Sequence, residues 1–268
     1  MKSTLTTQLK QLTDLKMQLS EYRPLSEKQV AQLEREIRVE HVWSSNAIEG
    51  NRMTMFETRS ILDAGMTVHE LPIKSVLETL DLGSAYDYML ELVTRMQPLT
   101  QTTIRDLNRI ATMKTADTVN EAGVYRAVNV WPNGREDRPY TAPFDIRPAM
   151  ADLITWSTTA QQQLHPVQYA AELHFRFVTI HPFIDGNGRT ARLLMNFALL
   201  QAGYPIINVQ PDKNSRKAYM AALETGQVNH DSQAFTRLIM TYVMASLTNR
   251  LQILKLNEQN INDAQNDR

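Results

Sequence analysis

The sequence predicts a mostly all-α protein with one small β-hairpin, and three observations predict it. Glycine is scarce, at 9 of 268 residues, and long stretches are dominated by Leu, Ala, Met, Gln and Glu, which favour helix. Apolar residues recur three or four positions apart over residues 4–20, as on the buried face of an amphipathic helix. One segment alone, 117–145, gathers Gly123, Pro132, Gly134, Pro139 and Pro143 around Val124, Val128, Val130 and Trp131. Punctuation of that kind between β-formers reads as a hairpin.

In chain order, residues 4–20 space Leu5, Leu9, Leu12, Leu15 and Leu19 on one face. A second helix is expected over about 26–50, opened by Ser26 with Glu27 in its first turn and closed by Gly50. A third covers 53–64 and stops at Gly65. Pro72 suits the start of a helix running to about 96, and Pro98 ends it. Residues 100–113 continue helical. After the hairpin, helices are expected over 147–158, 167–180, 186–202, 214–225 and 232–254, with a polar tail, 255–268, that frays. The chain divides into an N-terminal helical region, 1–98, and a core, 99–268, with its flap at about 123–143 and a loop at 181–192.

Composition narrows the function. With 43% hydrophobic residues there is enough for a sizeable core, and 28 basic against 29 acidic residues leave a net charge of −1. Such a chain lacks the overall basic footprint of a nucleic-acid coat, so direct nucleic-acid binding is not expected. The absence of cysteine excludes disulfides, thiol nucleophiles and Cys-ligated metals. No stretch approaches the ~20 apolar residues that span a bilayer. No apolar stretch follows Met1, so a secretory signal is not expected, and the expected location is cytoplasmic.

The chemistry is concentrated in residues 181–192, His-Pro-Phe-Ile-Asp-Gly-Asn-Gly-Arg-Thr-Ala-Arg. Pro182 biases His181 out of the α region, so one helix ends there and the next opens near Gly186 and Asn187. A glycine-rich helix start presents free N–H groups to an anion. Arg189 and Arg192, three apart, point to about the same side and suit a polyphosphate. Asp185 is an oxygen ligand of the kind that holds Mg²⁺ together with substrate phosphates. His181 titrates near neutrality and can take a proton from a nucleophile. Base, metal ligand, anion nest and arginines together describe a phosphoryl- or nucleotidyl-transfer site.

His181–Arg189 resembles the signature of the Fic family, His-Pro-Phe-x-Asp/Glu-Gly-Asn-Gly/Lys-Arg, without departure. The resemblance extends over roughly residues 40–245. Gly123-Val124-Tyr125-Arg126 and Tyr140-Thr141-Ala142-Pro143 resemble the segments entering and leaving the Fic flap, and Asn196 and Gly203-Tyr204-Pro205 the helix and turn after the signature. The fold it implies is a helical Fic core with a hairpin flap. The activity it implies is transfer of AMP from ATP, with Mg²⁺, to a hydroxyl of a target protein. In that scheme His181 is the base, Phe183 the buried anchor of the loop and Asp185 the Mg²⁺ ligand. Gly186, Asn187 and Gly188 form the anion hole, Arg189 meets the β-phosphate and Arg192 the γ-phosphate. Tyr125, Arg126 and Tyr140 are candidate contacts of the flap or the target. Glycine at 188, where kinase-like Doc toxins carry lysine, favours nucleotidyl transfer, while another nucleotide or a phosphocholine donor stays open.

A second motif, Ser45-Asn46-Ala47-Ile48-Glu49-Gly50, resembles the Fic inhibitory helix. Taken alone it is an ordinary helix end with an i, i+4 pair. With the signature it implies that Glu49 pairs with Arg192 and occupies the place of the γ-phosphate, giving an enzyme that restrains itself. The same glutamate, with His181, could align a water that removes AMP, in place of transfer or in addition to it, and a non-catalytic nucleotide sensor is the third alternative. The resemblance leaves the target protein unnamed and admits modification of the chain itself and a homodimer.

Overall fold

A computed structural model describes residues 4–68, 70–117, 121–132 and 134–266. Its described elements are ten α-helices and one 3-10 turn. These are α1 (Leu5–Leu19), α2 (Glu27–Ile48), α3 (Met55–Ala64), α4 (Ile73–Thr94) and α5 (Gln101–Thr112), then the turn Pro143–Asp145. They are followed by α6 (Ile146–Gln163), α7 (Pro166–Ile180), α8 (Asn187–Gln201), α9 (Lys213–Asn229) and α10 (Gln233–Asn266).

Local chemistry sets the helix ends. Ser26 caps α2, and the reciprocal partner of its capping box is Gln29 at the third position, not Glu27. Thr54 and Glu57 make the same box on α3, which Gly65 ends at φ +65°. Asp212 accepts from the N–H groups of Asn214 and Ser215 to open α9.

Helix α8 is the axis of the fold. Leu193, Leu194, Met195, Phe197, Ala198 and Leu199 are all buried, and a helix buried on every side belongs in the middle. It packs on α4, α5 and α7, with the C-terminal end of α2 against its start. Leu82 and Met89 of α4, Ile104 and Leu107 of α5, and Val167 and Phe177 of α7 close the core around it. Asn196, buried in the same helix, bonds both the N–H and the C=O of Ile207 at 3.0 Å and so fixes the chain after α8.

Two expectations are corrected. The hairpin is absent: none of the described residues is in a strand, and Asn133 of the flap, with 118–120 before it, lies outside the described residues. The limbs meet through the Tyr140 N–H to Val130 C=O bond, 3.1 Å. Pro132, Pro139 and Pro143 carry no N–H to extend a ladder. The flap is therefore an irregular excursion. The tail does not break off at 254 either. It continues α10 to Asn266, where Ile253 and Leu256 keep helical spacing beside Leu25 and Leu33, and Gln29 bonds Asn257 at 3.0 Å. Among the described residues, no helix is long and apolar enough to cross a membrane.

Candidate active site

The loop between α7 and α8 is built by its own side chains. His181 ends α7 in the left-handed region (φ 52°, ψ 59°), a conformation few non-glycine residues adopt. Phe183 is buried, its ring beside Phe177 and Tyr125. The Asn187 side chain turns back on Phe183, accepting from its N–H at 3.0 Å and donating to its C=O at 2.8 Å. The amide is thus spent on holding the loop, and Asn187 offers an anion only its backbone N–H. Gly186 starts α8 at φ +76°, and a Cβ there would lie 2.5 Å from Thr112 and 2.8 Å from Asn108. Only glycine fits.

Asp185 is 58% exposed. One carboxylate oxygen accepts from the Gly186 N–H (2.6 Å) and the other from Arg189 (2.9 Å). Arg189 is itself buried and reaches back to the Ala111 carbonyl at 3.4 Å, so it serves first to orient Asp185. Among the described residues no group of three or more acidic or histidine side chains gathers to hold a metal. A single exposed carboxylate beside a helix N-terminus fits Mg²⁺ that arrives with phosphates, since that ion takes one or two carboxylates and fills the rest with phosphate and water.

The first turn of α8 carries no side-chain cap of its own. Glu49, at the C-terminal end of α2, lies against that turn. A Cβ built on Gly188 would fall 2.1 Å from Glu49 Oε1, so the carboxylate lies directly on the glycine backbone. Arg192 donates to the same oxygen at 2.7 Å and to the Ser45 hydroxyl and carbonyl at 2.7 and 2.8 Å. Tyr219 of α9 lies at 3.5 Å from its guanidinium. Arg192 is only 2% exposed. Burial works against its charge, but Glu49 and Tyr219 outweigh it and hold the guanidinium above its ordinary pKa. Gly50, at φ +103°, then turns the chain away. Ser45, Glu49, Gly50, Gly188 and Arg192 are thus brought together across more than 140 residues of sequence.

His181 is mostly covered, and burial pushes its imidazole down to about 4, with Arg126 adding to the shift and Glu49 and Asp185 opposing it. Its Nδ1 lies 3.3 Å from the Val178 carbonyl. In the neutral ring that contact places the proton on Nδ1 and leaves Nε2 as the acceptor. Tyr140 stacks on the ring, centroids 3.9 Å apart. Tyr125 faces inward, bonding Gln101 at 3.0 Å. Arg126 is buried and ties both limbs of the flap to the loop: it donates to the carbonyls of His181 (2.8 Å), Val128 (2.7 Å) and Thr141. Of the three candidate flap contacts, two are therefore packed into the scaffold and one lies on His181.

Asn108 is the residue the sequence reading missed. Buried on α5, it donates to the Asp185 carbonyl (2.9 Å) and Thr190 (3.2 Å) and accepts from the Gly123 N–H (3.1 Å). One amide thus joins α5, the flap and the loop that carries Asp185. Asn108→Ala is expected to cost about 1–3 kcal/mol by leaving buried groups unpaired. A urea midpoint unchanged from wild type would refute this.

Residues 98–199 match the Fic/DOC family. The chain is 36% identical over 208 residues to the protein adenylyltransferase Fic of Aedes aegypti, an alignment covering 77% of this chain and 40% of the relative. It thus spans about two fifths of that relative's length. A Fic domain containing signaling protein from Bacteroides thetaiotaomicron superposes with a TM-score of 0.81 at 27% identity, covering 92% of this chain and 98% of that one. Fic-1 of C. elegans shares the fold with a TM-score of 0.83 at 24% identity, covering 93% and 72%. The chain belongs to the Fic/DOC family.

Proposed function

We propose that this chain is a self-inhibited protein adenylyltransferase that moves AMP from ATP to a hydroxyl side chain of a target protein and releases pyrophosphate. The observation that carries the reading is the seat of Glu49. A carboxylate resting on Gly188 and Arg192 at an uncapped helix N-terminus marks a place built for a phosphate.

With that carboxylate withdrawn, the N–H groups of Asn187 and Gly188 and the Arg192 guanidinium would receive the nucleotide's phosphates, and the Gly186 N–H, which donates to Asp185, would join them only once that bond opens. Asp185, oriented by Arg189, is the residue to hold Mg²⁺, which when bound neutralises phosphate charge. The target hydroxyl oxygen bonds to the α-phosphorus while His181 Nε2 takes its proton. The bond from the α-phosphorus to the bridging oxygen breaks, and pyrophosphate leaves. Positioning and charge stabilisation supply most of the rate. Residues 1–98 carry the restraint in this reading, and 99–268 the transfer machinery.

His181→Ala should lower transfer of label from α-labelled ATP by at least ~100-fold, the usual worth of a positioned base, with the melting temperature near wild type. Transfer that persists in this variant would remove His181 from its role.

One observation favours a second reading. The Glu49 side chain is 40% exposed, so a water can reach its carboxylate, whose charge also bears on His181. Glu49 would then serve as base for hydrolysis of AMP from a modified protein. Release of AMP from a pre-modified substrate, lost in Glu49→Gly, would select that reading.

A further inference from the structure

We infer that Tyr140 is a positioning residue for His181, holding the imidazole in the plane and tautomer that present Nε2 to the target hydroxyl. The inference rests on the reading of His181 as the base.

The need for such a residue follows from how loosely His181 is otherwise held. Its backbone is in the left-handed region at the very end of α7, so its side chain leaves the ladder of its own helix. Its one hydrogen bond from the ring, Nδ1 to the Val178 carbonyl, is long at 3.3 Å. A bond at that length aligns a ring weakly. It also constrains one atom, and rotation about that contact would still swing Nε2. A flat plate on the ring face removes that freedom.

Tyr140 is that plate. Its ring lies 3.9 Å from the imidazole centroid, with the two planes 7° apart. Both partners are fixed by one guanidinium: Arg126 bonds the carbonyl of His181 and the carbonyl of Thr141, next to Tyr140. The Tyr140 N–H is held by Val130 across the flap. Backbone bonds on both sides and a stacked pair between them make a closed frame. The charged groups that bear on the imidazole are Arg126, Glu49 and Asp185, of which Arg126 bonds the backbone carbonyl of His181 and not its ring.

A target contact is the competing role for Tyr140. The face stacked on His181 is unavailable to a target, and a contact through the phenol would need the hydroxyl, whereas the stack needs only the ring. Phenylalanine separates the two roles.

The test uses the full chain, ¹⁵N-labelled, with the His181 ring signals assigned by their loss in His181→Gln. Wild type and Tyr140→Phe should show one dominant tautomer, protonated at Nδ1. Tyr140→Ala and Tyr140→Leu, which keep the fold and lose the plate, should show mixed tautomers. In a Glu49→Gly background, Tyr140→Ala should lower kcat for AMP transfer about 10- to 100-fold with KM for ATP nearly unchanged, and Tyr140→Phe should restore kcat. Unaltered tautomer signals in Tyr140→Ala overturn the inference, and so does a Tyr140→Phe variant as slow as Tyr140→Ala. If the Glu49→Gly chain transfers no AMP at all, the adenylyltransferase reading falls, and the tautomer measurement still decides the role of Tyr140.

Discussion

Glu49→Gly should raise AMP transfer steeply over wild type, by a factor approaching ~10³. The reasoning is electrostatic. Glu49 Oε1 lies on Gly188 and 2.7 Å from Arg192, where a terminal phosphate would sit. Two unit charges of like sign about 4 Å apart repel by roughly 4 kcal/mol at the effective dielectric of a protein surface. That is close to three powers of ten in the population of a productive pose. The carboxylate also occupies the arginine that the phosphate needs, so both the repulsion and the lost partner vanish in the variant. Arg192 keeps its Ser45 and Tyr219 contacts, so the site stays formed. Gly188→Ala should not reproduce this gain, because its Cβ would fall on the seat of Glu49 Oε1 and 3.2 Å from Arg192, and so would exclude the phosphate as well as the carboxylate. Equal labelling in wild type and Glu49→Gly would show that the carboxylate is not a brake.

How much of this was legible in the sequence depended on distance along the chain. The loop 181–192 holds its chemistry in twelve contiguous residues, so base, carboxylate, glycines and arginines could be read together. The Glu49–Arg192 pair spans 143 positions, and no spacing rule links them. Only the resemblance pointed to it. Asn108 left a signal that went unused: it is a polar residue on the apolar stripe Ile104, Leu107, Ala111 of α5. An amide in such a stripe must find buried partners, and here the partners are the site. Asn187 was assigned by position in a motif, yet its side chain closes the loop from within, a local reciprocal bond that sequence order alone does not reveal. The flap failed as a hairpin for the opposite reason. Val and Trp set between glycines and prolines predict strands, but proline at 132, 139 and 143 withholds the donors and Arg126 replaces the ladder.

Acid should unfold this protein over a window set by its buried histidines. His41 is 1% exposed, bonds Asn208 at 3.0 Å through Nδ1 and has a buried Nε2 without a partner. Burial pushes it down to about 4, although the bond to Asn208 opposes this, and the nearby Arg192 charge adds to the shift. His174, bonded to Tyr219 at 2.7 Å, lies well below its ordinary value for the same two reasons, burial first and Arg192 second. His181 is also pushed to about 4, chiefly by burial. All three are neutral in the fold, while in the unfolded chain each titrates near 6.5. Below that pH the unfolded chain takes up protons the fold refuses, so stability falls as pH falls, from about 6.5 down to about 4. Above 6.5 these residues contribute no slope. A depression from 6.5 to about 4 corresponds to roughly 3 kcal/mol for His41 alone, and small domains have only about 5–15 kcal/mol in total. The urea midpoint should therefore drop markedly between pH 7.5 and 5, where most carboxylates have not yet titrated. His41→Gln should flatten that slope, whatever it does to stability at pH 7.5. A midpoint constant across this range would mean that the histidines around Arg192 accept protons in the fold, and that the charge on Arg192 is less confined than its burial implies.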